Sequence, residues 1–231
     1  MGHLITATIL SSYKWMQTAP VSWKDRATTD FMAKLKREDK FEPTPEITRG
    51  INFERLICDR CNTMEEDNFI RHVKLQLEDD IINVDNAYLM QLEKLLRFFY
   101  IMCKGGEQQV KLTRDIEVEG EVFTLFGYAD VVFPNRQILD LKTCTKYKEE
   151  KYSSSVQHSI YQYCSGIKDF KYIVADFKGT LLPQAYHIVD ATCTDLTIVE
   201  SVLRSRIKEM IHWLKANNLY EIYLTRFCKG R

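Results

Sequence analysis

Nothing in the sequence approaches the roughly 18 consecutive apolar residues of a membrane-spanning helix, and neither sign of charge predominates. Lys+Arg and Asp+Glu stand at 32 each over 231 residues, which excludes a chain that holds nucleic acid by bulk positive charge. Such a ligand would need a local basic patch offset by acidic surface elsewhere. Prolines are few, at five, and no Gly/Ser linker, low-complexity segment or internal repeat interrupts the chain. The first residues lack the basic-then-apolar pattern of a signal peptide, and the seven cysteines, at 58, 61, 103, 144, 164, 193 and 228, are odd in number. Reduced thiols in a cytoplasm are the expected state. Cys58 and Cys61 form a CxxC with no second pair at zinc spacing, so they read as two small apolar residues on one helix face. With 45% hydrophobic residues the chain can bury a full core, expected as one domain over 1–231.

What is present divides into a mainly helical part, 1–104, and a sheet core with a closing helix, 105–231. Residues 4–17 read as a helix with Leu4, Ile5, Thr8, Ile9, Ser12, Trp15 and Met16 on one face, stopped by Pro20. A second helix is expected over 22–38. After the loop Phe41-Glu-Pro-Thr-Pro45, Thr44 or Pro45 opens a third, 46–61. Residues 63–103 look mostly helical, and Lys104-Gly-Gly106 ends them. From Gln108 the pattern alternates, giving strands at 108–118, 121–133 and 137–143. A helix at 153–166, strands at 170–176 and 184–189, and an amphipathic helix at 195–217 complete the reading. The fold class is therefore α/β (α+β): a small mixed sheet flanked by helices, with an N-terminal helical region.

The chemistry concentrates in Gly127-Tyr-Ala-Asp-Val-Val-Phe-Pro-Asn-Arg-Gln-Ile-Leu-Asp-Leu-Lys142, which reads as a hairpin. Pairing Phe133 with Gln137 puts Asp130 opposite Asp140. Strand alternation then gathers Asp130, Asp140 and Lys142 on one face, with Val131, Phe133, Leu139 and Leu141 on the other. Carboxylates about 5 Å apart repel unless a cation lies between them, and a hard divalent ion suits that place. On helix 46–61, Glu54 lies within the apolar arc of Ile47, Gly50, Ile51, Phe53, Ile57, Cys58 and Cys61. It is an edge glutamate, one paired with a buried Arg or Lys, or a third acidic ligand. On helix 153–166, Gln157 and Tyr161 project from the apolar arc toward one point, whereas His158 should face solvent.

In this order, Gly50-Ile-Asn-Phe-Glu54, Gly127-Tyr-Ala-Asp130, Asp140-Leu-Lys142 and Gln157-His-Ser-Ile-Tyr161 resemble the motifs of the PD-(D/E)xK nuclease superfamily, more narrowly its RecB-type and lambda-exonuclease-type members. The resemblance covers roughly 46–176. It implies a restriction-endonuclease-like core and metal-dependent DNA cleavage. Asp130, Asp140, Glu54 and the Leu141 carbonyl would hold Mg²⁺ or Mn²⁺, with two ions expected. Lys142 would orient or deprotonate water or neutralise charge, Gln157 would position Lys142 or the phosphate, and Tyr161 would support Gln157 or a DNA phosphate. Glu at 54, where RecB-type members often carry His, leans toward the lambda type. No iron–sulfur cluster is expected, because Thr18-Ala19 precede Pro20 where cluster-bearing members have Cys, and Cys228 stands alone near the end.

Lys146, Lys148 and Lys151 are either a phosphate track or a solvated loop. Ser11 and Ser12 fall on the helix that loosely resembles the family's opening helix, and they join the DNA-binding set. The resemblance implies DNA as partner and leaves room for a homo-oligomer and for a recombination or single-strand annealing protein. It places the chain in the cytoplasm of a bacterial or phage-infected cell, in DNA recombination, repair or degradation. An end-dependent exonuclease is the leading expectation. A structure-specific or restriction-type endonuclease and a non-catalytic DNA-binding module stay open.

Overall fold

The computed structural model describes residues 3–38, 42–77 and 85–227. It begins with a strand, β1 (His3–Thr6), where a helix was expected. Four residues are too few to show a period, and Ile5 is fully buried by pairing rather than by a helical stripe. Thr6 then caps helix α1 (Ala7–Thr18), its hydroxyl accepting from the Ile9 amide at 3.3 Å. Starting there turns α1 onto Ile9, Leu10, Ser12, Tyr13 and Met16 and leaves Thr8 and Trp15 exposed, contrary to the expected face.

A 3₁₀ turn (Val21–Trp23) leads into α2 (Lys24–Lys36). Thr44 caps α3 (Pro45–Cys61), with Pro45 at its first position, as expected. The apolar arc of α3 is narrower than predicted: Gly50, Phe53, Ile57, Cys58 and Cys61 are buried, while Ile47 and Ile51 are each 42% exposed. Helices α4 (Glu66–Gln76) and α5 (Asn86–Cys103) follow. The six described cysteines are free thiols, and Cys228 lies outside the described residues.

The alternating segment forms β2 (Glu107–Val118), β3 (Glu121–Phe133) and β4 (Gln137–Cys144). The helical pattern at 153–166 splits into a short α6 (Glu149–Ser153) and α7 (Gln157–Ser165). Then come β5 (Phe170–Asp176), β6 (Ala185–Asp190), α8 (Leu196–Ala216) and α9 (Tyr220–Arg226). Strand order is β1-β3-β4-β5-β6, with β2 also on β3. The β1–β3 and β4–β5 pairs are parallel and the rest antiparallel, so the sheet is mixed.

One face of the sheet packs against α1, α2, α7, α8 and α9 around Phe123, Ile138, Tyr172 and Leu203. The other packs against α3, α4 and α5 around Val131, Leu139, Leu141 and Phe99. Among the described residues no helix is long and apolar enough to cross a membrane.

Helix α9 has no counterpart in the sequence reading. Asn218, in the left-handed region at φ 56°, stops α8 and turns the chain back. Tyr223 of α9 is fully buried and donates to the Leu4 carbonyl at 3.0 Å, while the Leu4 amide donates to the Phe227 carbonyl at 2.7 Å. The last helix therefore holds the first strand. Tyr223→Ala is expected to cost about 3 kcal/mol or more and Tyr223→Phe about 1 kcal/mol, read as urea midpoints. Equal, negligible losses would show that β1 docks without α9.

Candidate active site

Along one edge β3 pairs with β2 over almost its whole length. Its other edge is shared: β1 takes Phe123–Phe126 and β4 takes Val131–Phe133. Residues Gly127 to Asp130 face the interval between them. The predicted register holds, with Phe133 opposite Gln137 and Val131 opposite Leu139, and the backbone ladder stops one step before Asp130 would meet Asp140. There the Asp130 side chain replaces the ladder, its Oδ2 accepting from the Leu141 amide at 2.8 Å. The candidate site is this notch.

Each motif glycine has a steric reason. A Cβ on Gly127 would collide with the Tyr161 ring, whose hydroxyl donates to the Tyr128 carbonyl at 2.6 Å. A Cβ on Gly50 would strike Thr143 Oγ1, so its absence lets α3 approach the end of β4 and carry Glu54 to the notch. From α7, Gln157 Nε2 bridges Asp140 Oδ1 at 2.8 Å and the Tyr161 hydroxyl at 3.0 Å. Asp140 is 1% exposed, and its other oxygen ion-pairs with Lys142, whose ammonium also donates to the Leu141 carbonyl at 3.2 Å.

The charges act as one group. Burial pushes the Asp140 carboxyl up to about 7, against the pull of Lys142 and with help from Asp130. Burial likewise takes Glu54 to about 7; Lys142 and a Thr143 hydrogen bond oppose the rise, and Asp130 and Asp140 add to it. Burial works to lower the Lys142 ammonium, but Asp140, Asp130 and Glu54 outweigh it and hold the proton far more firmly than on an ordinary lysine. Three carboxylates against one ammonium leave an excess of hard oxygen and negative charge, and the buried Asp140 Oδ2 has the Lys142 ammonium as its partner. That donor chemistry fits Mg²⁺ or Mn²⁺. As they stand, no three carboxylate, imidazole or thiol groups among the described residues enclose a cation; the Lys142 ammonium lies against Asp140 Oδ2 and the Leu141 carbonyl instead.

The structure thus brings Glu54, Asp130, Asp140, Leu141, Lys142, Gln157 and Tyr161 together. Ser11 lines a cavity of about 520 Å³ with Gly127, Gln157 and Tyr161. Ser12, by contrast, is buried on the inner face of α1 and cannot meet a ligand from solvent. Lys146 and Lys151 line a cavity of about 410 Å³ with Arg49 and Thr143; Lys148 is exposed at the start of α6 and outside that lining. His158 does not face solvent: it is half-buried, its Nδ1 lies 3.3 Å from the Tyr172 hydroxyl, and burial, then Arg206 and Lys14, lowers it to about 4. The helical wheel misplaced it because α7 begins at Gln157 and packs on β5 as well as β3.

Sequence reasoning missed Gln109. It stands opposite Asp130 in β2 with φ 51°, and its amide donates to Asp130 Oδ1 at 3.0 Å. A non-glycine residue in the left-handed region costs of order 1–3 kcal/mol, and nothing in an alternating strand pattern signals it.

No family model and no curated protein matches this sequence. Among solved structures, a protein of Eubacterium rectale provisionally described as an exonuclease is 14% identical, with a TM-score of 0.52, over 94% of this chain and 82% of that one. The alkaline exonuclease LHK-Exo of Laribacter hongkongensis, in complex with dAMP, is 13% identical with a TM-score of 0.46, over 93% and 92%. The protein SSO0001 is 13% identical with a TM-score of 0.43, over 90% and 77%. The first of these likenesses is one of fold.

Glu54 carries a pH signature. Its folded pKa of about 7 exceeds the ~4.3 of an unfolded glutamate, so the folded state binds more protons between those values. Stability from this group is therefore full below about 4 and is lost as pH rises through about 7. With divalent ions chelated, Glu54→Gln should raise Tm at pH 8.5 and change it little at pH 4. An equal effect at both, followed by calorimetry, would show that Glu54 ionises as if exposed.

Proposed function

We propose that this chain is a divalent-metal-dependent deoxyribonuclease that hydrolyses phosphodiester bonds from DNA ends. The observation that carries the reading is the convergence of Glu54, Asp130, Asp140 and Lys142 at the notch in β3, braced by Gln157. The fold likeness to the Eubacterium rectale protein, itself provisionally described as an exonuclease, supports it. Asp130, Asp140, Glu54 and the Leu141 carbonyl are the groups that would hold Mg²⁺ or Mn²⁺. Such ions, when bound, polarise a phosphate and make water a competent nucleophile near neutral pH.

The rest of the work falls to the chain's own residues. Gln157 fixes the Asp140 carboxylate in one orientation, and Tyr161 fixes Gln157 through the strand carbonyl of Tyr128. Asp130 is locked twice, by the Leu141 amide and the Gln109 amide. Without metal, Asp140, Asp130 and Glu54 hold the Lys142 proton firmly; with an ion on those carboxylates, Lys142 would orient the attacking water or neutralise charge growing on the phosphate. Lys146 and Lys151, with Arg49, offer a phosphate track on one side of the notch. The preference for ends rests on the motif order, with Glu54 and Gln157-His-Ser-Ile-Tyr161 in the arrangement that resembles the exonuclease branch.

Two outcomes test the reading. With Mg²⁺ or Mn²⁺, linear DNA should be degraded and covalently closed circles should survive; chelation should stop the reaction. Asp130→Asn, Asp140→Asn and Lys142→Ala should each lower the rate by about 10²-fold or more while gel-shift binding of DNA changes little. Discrete fragments from closed circles would replace the exonuclease with an endonuclease. Inertness on every DNA form with either metal would reject the enzyme.

A further inference from the structure

Helices α1 and α8 line a third cavity, of about 370 Å³, with Leu10, Tyr13 and Lys14 on one side and Val202, Arg206 and Glu209 on the other. Lys14 and Arg206 are both cations, and neither forms an ion pair among the described residues. The Lys14 ammonium donates to the Ser154 carbonyl at 2.7 Å, whereas Arg206 Nη1 is buried with no acceptor. Burial, with Arg206 beside it, lowers Lys14 from its ordinary range. Glu209, the carboxylate in the lining, accepts from Ser205 Oγ at 3.2 Å and forms no ion pair with either cation among the described residues. His158 approaches from α7 but is held neutral, so it contributes no charge near pH 7.

An unpartnered guanidinium nitrogen and a second cation beside it cost stability as they stand. A tetrahedral oxyanion would satisfy both, because a guanidinium fork and an ammonium match its oxygens. The cavity also has a fixed relation to the notch. Lys14 lies one turn along α1 from Ser11, and Ser154 precedes Ser155; Ser11 and Ser155 both line the cavity that contains Gln157 and Tyr161. We propose that Lys14 and Arg206 form a phosphate-binding site, separate from the carboxylate notch, that holds a phosphate group of a nucleic-acid strand running on from it. The identity of the natural ligand rests on the nuclease reading; the site itself does not.

The test has two arms on the full chain, with divalent ions chelated. In the first, inorganic phosphate is added against sodium chloride of equal ionic strength. Wild type should gain about 3 °C in Tm at ten times the dissociation constant. Arg206→Met should melt higher than wild type without phosphate, because the buried guanidinium nitrogen without an acceptor is gone, and should lose the phosphate response. Lys14→Met, on the other helix, should also lose it and guards against a fold defect in the first variant. In the second arm, anisotropy of labelled single-stranded and duplex DNA is read across salt. Either variant should weaken binding and reduce the salt slope by about 0.7 to 0.9, one phosphate contact.

A phosphate response lost in the variants with DNA affinity and slope unchanged supports the site and assigns it to a free phosphate anion. Wild type showing no phosphate shift and variants keeping the full DNA salt slope would overturn the proposal. Failure of the nuclease reading would appear elsewhere, as wild type inert on linear DNA with Mg²⁺ or Mn²⁺, and leaves the phosphate arm readable.

Discussion

A strand has two edges, and β3 must serve three partners. That arithmetic shapes the molecule. With β2 along one edge, β1 and β4 divide the other, and the interval between them, Gly127 to Asp130, is paired by neither. The Tyr161 hydroxyl satisfies one carbonyl in that interval, and Asp130 turns its carboxylate onto the amide of Leu141. Buried backbone groups need partners, so an interrupted sheet must be completed by side chains. Here the side chains that complete it are those that gather charge. Helix α9 secures β1, β1 bounds the notch on one side and β4 on the other, and α3 and α7 enter from opposite faces.

The electrostatics of the notch cost stability rather than supply it. Asp140 is almost inaccessible, Glu54 sits with it in an apolar setting, and Lys142 balances both. A well-packed apolar replacement of the set would be expected to fold as well or better. The two hydrophobic clusters, one on each face of the sheet, supply the stability that such a concentration of charge consumes. Gln109 adds a smaller cost of the same kind, a strained backbone kept for one hydrogen bond to Asp130.

Much of this was legible because it is local. Alternation and the Pro134-Asn135-Arg136 turn set the hairpin, and its register followed from loop length. The helix spacing of Gln157 and Tyr161 sufficed to bring both to one point, and Glu54 stood out as a charge within an apolar arc. What stayed hidden depends on distant partners. His3–Thr6 is a strand because β3 is there to receive it, and Ser12 is inward because α1 starts late. His158 is half-buried through β5, which lies beyond the reach of a wheel drawn on one helix. The left-handed Gln109 and the meeting of Lys14 with Arg206 leave no pattern in the sequence, since each is fixed by tertiary geometry alone.

The pairing of β1 with β3 has a kinetic side. The β2–β3–β4 meander is closed by short turns, and its contacts are near in sequence. The His3–Thr6 strand must travel from the far end of the described chain to pair in parallel, and it is held there by residues near 223. Closing so long a loop is entropically expensive and slow beside hairpin formation. During refolding the aspartates of the hairpin would therefore face each other before the notch has its second wall. Maturation of the site would follow the capture of the first strand by the last helix.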